Sequence, residues 1–216
     1  IFGNLIGSRI GQMGGFSYME FIVPGLIMMA VITNSYSNVS SSFYSAKFQH
    51  NIEELLVAPI PNWVIIAGFV GGGVARAILI GIIVTCVSML FVDISLHSIP
   101  IIIITLLLTS TLFATAGLIN AIFAKSFDDI SVVPTFVLTP LTYLGGVFYS
   151  LTLLPEFWQW VSKINPIVYM VNGFRYGFLG VSDVDYMYSL GLLVVFNVVL
   201  LGFAYSLINR GVGIRS

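Results

Sequence analysis

Long apolar stretches, almost free of charge, alternate with short polar connections along this chain. A helix needs about 20 apolar residues to cross a hydrocarbon core about 30 Å thick. The pattern therefore predicts an all-α integral membrane protein, a polytopic bundle of transmembrane helices in which residues 1–216 form one domain. Five stretches are long enough to span: between Glu20 and Lys47, Trp63 to Phe91, Pro100 to Ala124, Ile130 to Tyr149, and Tyr186 to Asn209.

Composition narrows the classes of function. Hydrophobic residues make up 58% of the 216 positions and charged residues 8%, whereas a soluble domain has about 25% charged residues. A water-facing surface cannot be built from this composition, which excludes a soluble enzyme. The net charge of −1 also provides no basic face for nucleic acid.

Five spans would place the two ends of the chain on opposite sides of the membrane. Because the sequence begins at Ile1 without a methionine, we expect a preceding span and six spans in the intact protein. Short cytoplasmic loops are enriched in Lys and Arg. A small excess on one side therefore predicts cytoplasmic connections at 42–62 and 125–129 and a cytoplasmic C-terminus. The two sets are Lys47, Lys125, Arg210 and Arg215 against Arg9, Lys163 and Arg175.

Residues 43–58 are predicted to form a short amphipathic helix rather than a span. Pro59 and Pro61 end it, because the residue before a proline disfavours the helical conformation. The helix either lies in the lipid interface or docks into a partner protein, and its periodicity leaves both open. Its apolar positions recur at helical spacing, at Tyr44, Phe48, Ile52, Leu55 and Leu56, while Lys47, Asn51, Glu53 and Glu54 occupy other faces.

Residues 150–185 form a second segment that does not span. Pro155 suits the first position of a short helix, the pair Asn165 and Pro166 breaks it, and a second helix runs to a cap at Gly180. Both helices are too short to cross, which predicts a re-entrant periplasmic hairpin. In it Trp158 and Trp160 lie at headgroup level, and Lys163 and Arg175 extend toward the headgroups. An ordinary aromatic belt on an extracellular loop is the alternative.

Polar residues inside the spans are candidates for a translocation path. Small polar side chains recur along the first span at Asn34, Ser37, Asn38 and Ser41, with Thr33 and Ser40 beside them. They either line a polar path or hydrogen-bond to another helix. Arg76 is the one charge predicted deep in a span, with either a structural role or a role in contacting substrate.

Glycines and prolines shape two of the predicted spans. Gly68 and Gly72 form a small-x-x-x-small pair that favours close helix packing. No Lys-Ser or Lys-Thr follows this cluster, so it is not a nucleotide site. Pro134 and Pro140 should kink the fourth span, which suits either a gate or a packing requirement.

Candidate chemistry is sparse. His50 and His97 are far apart in the sequence, and no H-E-x-x-H motif or carboxylate cluster accompanies them. We therefore expect no catalytic constellation and no cofactor or metal bound by this chain.

Two stretches resemble the permeases of the ABC-2 type transporter family. "NIEELLVAPIP" at 51–61 is similar to the family's cytoplasmic coupling helix. "FAKSFDDISVVPTFVLTPLTYLGGVFYSLTLLPEFWQWVSKINPIVYMVNGFRYGFLG" at 123–180 is similar to its signature region. The resemblance extends over essentially the whole chain, and family members begin with one more span.

The resemblance implies a function and a set of partners. Two permease chains pair with two ATP-binding subunits, which hold ATP and Mg²⁺, in the bacterial inner membrane. Family members export lipids, polysaccharides, drugs or other hydrophobic compounds, and these residues do not select among them. A secondary transporter or channel without an ATPase is the alternative, disfavoured by the lack of intramembrane acids. The coupling role would fall to Phe48, Ile52, Glu53, Glu54, Leu55 and Leu56.

Overall fold

Helices account for most of residues 12–213, the part of the chain that the computed structural model describes. The first described elements are two short strands, β1 (Gln12–Met13) and β2 (Phe16–Ser17), which pair as an antiparallel hairpin. Gly14 and Gly15 form its two-residue turn with positive φ angles of 58° and 86°, which glycine adopts without strain. Nine α-helices follow among these residues: α1 (Tyr18–Phe48), α2 (Asn51–Val57), α3 (Asn62–Ser88), α4 (Ile99–Phe123), α5 (Phe127–Val133), α6 (Thr139–Tyr143), α7 (Glu156–Ser162), α8 (Pro166–Leu179) and α9 (Tyr186–Arg210).

Four of the described helices, α1, α3, α4 and α9, are long and apolar enough to cross a membrane. They contain 31, 27, 25 and 25 residues, and at about 1.5 Å per residue each exceeds a core of about 30 Å. They coincide with four of the five apolar stretches. The prediction of a polytopic helical membrane protein is confirmed.

The fourth apolar stretch is helical over a shorter range than predicted. The helix starts at Phe127, passes through a π-helical turn at Pro134–Leu138 and ends at Tyr143 instead of Tyr149. In the π-helical turn the N–H of Thr139 donates to the carbonyl of Pro134, five residues back. Prolines lack the N–H that an α-helical ladder requires, so the irregularity falls where the sequence predicted it.

Helix α1 lies at the centre of the bundle, in contact with α3, α4 and α8. Glycines on the partner helices allow the close approach: a Cβ on Gly117 of α4 would meet the carbonyl oxygen of Tyr36, and one on Gly73 of α3 would meet Val39. The glycines singled out by the sequence behave differently. A Cβ on Gly68 or Gly72 has no neighbour within 4 Å in the described chain, so close packing at this pair is not found within it.

Hydrogen bonds between distant segments define the two ends of the bundle. At one end the Lys47 ammonium donates to the carbonyls of Ile122 and Ala124, at 2.8 and 3.0 Å, and Asn62 bonds to Asn209. At the other end the N–H of Ser98 donates to the carbonyl of Gly177. The first end gathers connections 49–61 and 124–126 with the end of α9, as expected for spans that alternate in direction. Arg9 and Arg215, which the prediction from loop charges also used, lie outside the described residues.

The direction predicted for Arg175 is wrong. All but two of the 14 residues of α8 are buried, and the Arg175 side chain, instead of reaching the headgroups, is 0% exposed inside the bundle. Its guanidinium donates to the carbonyls of Gly146 and Phe21, at 2.6 and 3.3 Å, and lies 3.8 Å from the centroid of the Phe21 ring. Burial is tolerated because these carbonyls and a carboxylate replace water around the charge.

That carboxylate belongs to Asp183, which follows α8 in the chain and contacts both α8 and the segment before α7. Its Oδ2 lies 3.8 Å from Nη1 of Arg175 and accepts the N–H of Leu151 at 2.9 Å. The hydroxyl of Ser150 donates to its other oxygen, and the N–H of Asp183 itself donates to the side chain of Asn172. Asp183 thus attaches the chain before α7 to α8.

Replacing Gly117 with alanine is expected to lower the free energy of unfolding by about 1–3 kcal/mol, because the new methyl group must displace the α1 backbone at Tyr36. Gly68→Ala is the matched control, since open space surrounds it. Reversible unfolding in mixed micelles, followed by circular dichroism, measures both. Equal losses in the two variants would show that α1 and α4 do not meet closely here.

Asp183→Ala is expected to cost about 3–5 kcal/mol of stability, because it leaves the buried Arg175 charge without its counter-ion. Asp93→Ala removes an exposed carboxylate in the α3–α4 connection and should change stability by less than about 0.5 kcal/mol. The same unfolding measurement compares them. A loss no greater than that of the control would contradict a role for Asp183 in holding Arg175.

Candidate functional site

Two surfaces bring the predicted functional residues together, and the first is built around α2. The single helix predicted for 43–58 is wrong: α1 ends at Phe48, and α2 begins only at Asn51. His50 between them has φ 61°, a left-handed conformation that ends a helix. Its ring nitrogen Nδ1 lies 3.2 Å from the carboxylate of Glu53, which ties this turn to α2.

Helix α2 rests on the bundle by one side. Ile52 is 2% exposed, within a core cluster that also contains Val39 and Phe43 of α1. Leu55 and Leu56 are half-buried against the same cluster. Glu53 and Glu54 are exposed. Of the five predicted coupling residues that lie on α2, three hold the helix in place. The other two are exposed acids, of which Glu53 also contacts His50.

Phe48 lies on the last turn of α1 rather than on α2, beside an aromatic residue that sequence reasoning missed. Its ring centroid is 5.6 Å from that of Phe127, the first residue of α5, and Tyr44 packs beneath both. Phe127 follows the Ser126 cap of α5, a local signal that could have placed it at this end. We call the exposed set the α2 surface: Phe48, Glu53, Glu54, Val57 and Phe127.

The start of α5 is fixed by a reciprocal cap. Ser126 accepts the N–H of Asp129, and the Asp129 carboxylate accepts the N–H groups of Lys125 and Ser126 at 2.9 and 3.1 Å. The bond from Lys125 is the main cause that holds the pKa of this carboxyl below its usual value. The cap therefore keeps Phe127 at a defined position beside Phe48.

The second surface is a polar groove between α1 and α3. Its volume is about 380 Å³. One face of α1 supplies most of its lining, at the i, i+3, i+4 spacing of a helical face, and α3 supplies one cation. We call this the polar groove; its lining residues are Asn34, Ser37, Asn38, Ser41, Ser42 and Ser45 with Arg76.

The structure places Asn34, Ser37, Asn38 and Ser41 on this groove together with Arg76, whereas Thr33 is not among its lining residues. Ser40 differs: its side chain is buried, and its backbone N lies near Gly117 of α4. Arg76 is exposed in the chain. Within the described residues its guanidinium has neither a hydrogen-bond acceptor nor a carboxylate partner. The charge is therefore directed into the groove and not into a helix interface.

The 150–185 region presents aromatic side chains at the opposite end. Pro155 is the residue just before α7, and Trp158 and Trp160 on that helix are 53% and 71% exposed. Asn165 caps α8 by accepting the N–H of Ile167, with Pro166 as the first helical residue. Gly180 ends α8 with φ 73°, as predicted. With 7 and 14 residues, α7 and α8 reach only about 10 and 21 Å.

Within residues 12–213, no group of three or more His, Cys, Asp or Glu side chains is arranged so that it could hold a metal ion. The one cysteine, Cys86, is free and exposed on α3.

Comparison with known proteins finds relatives that match over nearly the whole chain. The chain is 68% identical over 216 residues to the inner membrane transport permease YadH of Escherichia coli K12, covering 100% of this chain and 84% of that protein. The Shigella flexneri protein of the same name matches to the same extent. Nodulation protein J of Rhizobium leguminosarum bv. trifolii is 24% identical over 213 residues, 96% of this chain and 80% of that protein.

A family-level match covers the part of the chain that holds both surfaces. The profile of the ABC-2 type transporter matches residues 1–179, a range that includes α2, the polar groove and all of α8. The chain therefore belongs to the ABC-2 type transporter family.

Proposed function

We propose that this chain is the permease subunit of an ATP-driven exporter of the bacterial inner membrane, and that a separate ATP-binding subunit holds ATP and Mg²⁺. The family supports a membrane permease of an ABC transporter, and its relatives in Escherichia coli and Shigella flexneri carry the name inner membrane transport permease. The chain lacks a phosphate-binding motif of its own. The observation that carries the proposal is the α2 surface.

The chemistry of the α2 surface suits a protein partner better than a lipid surface. Phe48, Val57 and Phe127 are 65%, 87% and 50% exposed, an apolar patch of the kind that binding partners cover. A helix that lies on anionic lipid carries Lys and Arg on its polar face. Here that face carries Glu53 and Glu54, which anionic headgroups would repel.

Contacts from α2 into the bundle provide a way to transmit movement of the partner. Ile52 is packed in the same cluster as Val39 of α1 and Leu118 of α4. Lys47, one residue before the end of α1, bonds to two carbonyls at the end of α4. Displacement of α2 therefore acts on α1 and α4 together.

The polar groove is the proposed start of the cargo path, with α1 as one wall and Arg76 on the other. The π-helical turn at Pro134–Leu138 and the Pro140 that follows interrupt the regular α-helix of the fourth apolar stretch, and such an interruption suits a moving element. Two such permease chains would pair with two ATP-binding subunits. Cargo is a lipid, a polysaccharide, a drug or another hydrophobic compound.

Replacing both Glu53 and Glu54 with alanine should lower the ATPase rate of the assembled exporter at least about threefold. The double variant removes the charged contact with the ATP-binding subunit, and a loss of about 0.7 kcal/mol corresponds to a factor of about three. The complex of full-length permease with the ATP-binding protein that co-purifies with it is reconstituted in nanodiscs, and phosphate release is measured. Glu156→Ala, an exposed acid at the opposite end, is the matched control.

An unchanged rate in the double variant, with the complex intact by size exclusion, would argue against coupling through α2. Failure of any ATP-binding protein to assemble with the wild-type permease would instead favour a transporter or channel without an ATPase.

Cysteine labelling tests which end faces the cytoplasm. In a Cys86→Ser background, Glu156→Cys should react with a membrane-impermeant maleimide added to spheroplasts, while Glu54→Cys should react only after the membrane is permeabilised. Both positions are exposed, whereas Ser162 is 8% exposed and too buried to report. The reverse labelling pattern would place α2 on the periplasmic side and overturn its role as a coupling element.

A further inference from the structure

The polar groove contains a charge that the bundle does not neutralise. Arg76 lies on α3, and within residues 12–213 its guanidinium has neither a carboxylate nor a carbonyl partner. Arg175 shows the contrast, since it is surrounded by two carbonyls and Asp183. A cation at membrane depth without such partners is costly and is typically associated with a functional site.

The α1 wall of the groove offers unused hydrogen-bonding groups. The amide of Asn34 donates to the carbonyl of Ala30, which leaves its side-chain oxygen as an acceptor. Within the described residues the side chains of Ser37, Asn38 and Ser41 make no hydrogen bond to another group. The hydrocarbon around the bundle cannot satisfy these groups, so we expect them to meet a polar partner in the groove.

The position of the groove along the helices shows how a ligand reaches it. Asn34 lies about 21 Å from the end of α1 at Phe48, and Arg76 lies about 21 Å from the start of α3 at Asn62, so both lie at similar depth. Ser45 lies only about 4.5 Å from Phe48. The groove therefore leads from the α2 end of the bundle to a cation near mid-membrane.

Glycines on α3 keep the approach to that cation clear. Gly72 and Gly68 lie one and two turns before Arg76 on the same helical face. A Cβ added at either would meet nothing within 4 Å. Gly72 therefore leaves open space one turn before the guanidinium. The bulky Phe69, seven residues before Arg76 on the same face, packs against Phe43 of α1 with ring centroids 5.0 Å apart.

From this arrangement we infer that the polar groove binds the anionic headgroup of its cargo, a phosphate or a carboxylate, with Arg76 as the counter-charge. A guanidinium matches either group through two parallel hydrogen bonds. Amides and hydroxyls of α1 bind the polar atoms around the charge, and an attached apolar tail stays in the surrounding lipid. This deepens the proposed function, because it names the chemical class of cargo for the same path.

The test measures the charge of the groove directly, in full-length permease in nanodiscs of neutral lipid. Ser37→Cys in a Cys86→Ser background is modified with methanethiosulfonate reagents that carry either a sulfonate or a trimethylammonium group. Relative to their rates with a free thiol, the sulfonate reagent should be favoured by about 30-fold. Unit charges about 4 Å apart in water interact by about 1 kcal/mol, and this energy attracts one reagent and repels the other. Arg76→Gln should abolish this preference, Arg76→Lys should keep it, and Gly72→Leu should slow both reagents.

Lipid protection identifies the source of the anion. Phosphatidylglycerol added to the nanodiscs should slow modification of Ser37→Cys at least about threefold, as expected when the ligand is present at twice its Kd or more, whereas phosphatidylcholine should not. Protection should disappear in Arg76→Gln and persist in Arg210→Gln, which removes an exposed cation at the end of α9. If inorganic phosphate protects Ser37→Cys as well as phosphatidylglycerol does, a small anion is sufficient for binding. If only the lipid protects, binding also requires the attached apolar tail.

Three results would overturn the inference. The first is that the two reagents react at equal rates, relative to a free thiol, while Arg76 is still present, and the second is that phosphatidylglycerol still protects Ser37→Cys in the Arg76→Gln variant. The third is that Ser37→Cys forms a disulfide between two copies of the chain, which leaves no thiol to react. The last would mean that a second copy of the chain fills the groove. The assay contains neither ATP nor an ATP-binding subunit. A negative result in this assay therefore does not affect the conclusion about coupling through Glu53 and Glu54. A negative result in the ATPase assay likewise does not affect the conclusion about anion binding.

Discussion

Hydrocarbon offers no hydrogen-bond partner, and the rest of this structure depends on how that constraint is met where helices end or break. Two long cationic side chains do much of this. Lys47 satisfies the carbonyls of Ile122 and Ala124 at the end of α4, and Arg175 satisfies those of Phe21 and Gly146. Each cation crosses from one segment to another. The same bonds that satisfy the backbone therefore also fix the positions of α1, α4 and α8.

Features with a local cause could be predicted from the sequence. The apolar stretches, the helix break at Asn165 and Pro166, the cap at Gly180 and the irregularity at Pro134 all follow from residues within a few positions of the effect. The stripe of polar residues on α1 was also visible, because helical periodicity places its members on one face. These features include most of what builds the polar groove.

Features that depend on distant partners could not be predicted. The carbonyls that bind Arg175 lie 154 and 29 positions away, so nothing near this residue indicated that it would be buried. Gly117 was missed for the same reason, since only the neighbouring helix decides which glycine is crowded. The break at His50 was hidden because the apolar spacing from Tyr44 to Leu56 continues across it.

The burial of Arg175 has a consequence for the order in which the protein assembles. Its charge cannot rest at membrane depth until Phe21, Gly146 and Asp183 are all in place, and Asp183 is synthesised after α8 itself. The spans can insert one by one as apolar helices, but α8 cannot, because alone it would carry an unpaired guanidinium into lipid. We therefore expect the long helices to insert first and α8 to pack between them afterwards, once the groups that surround Arg175 are in place.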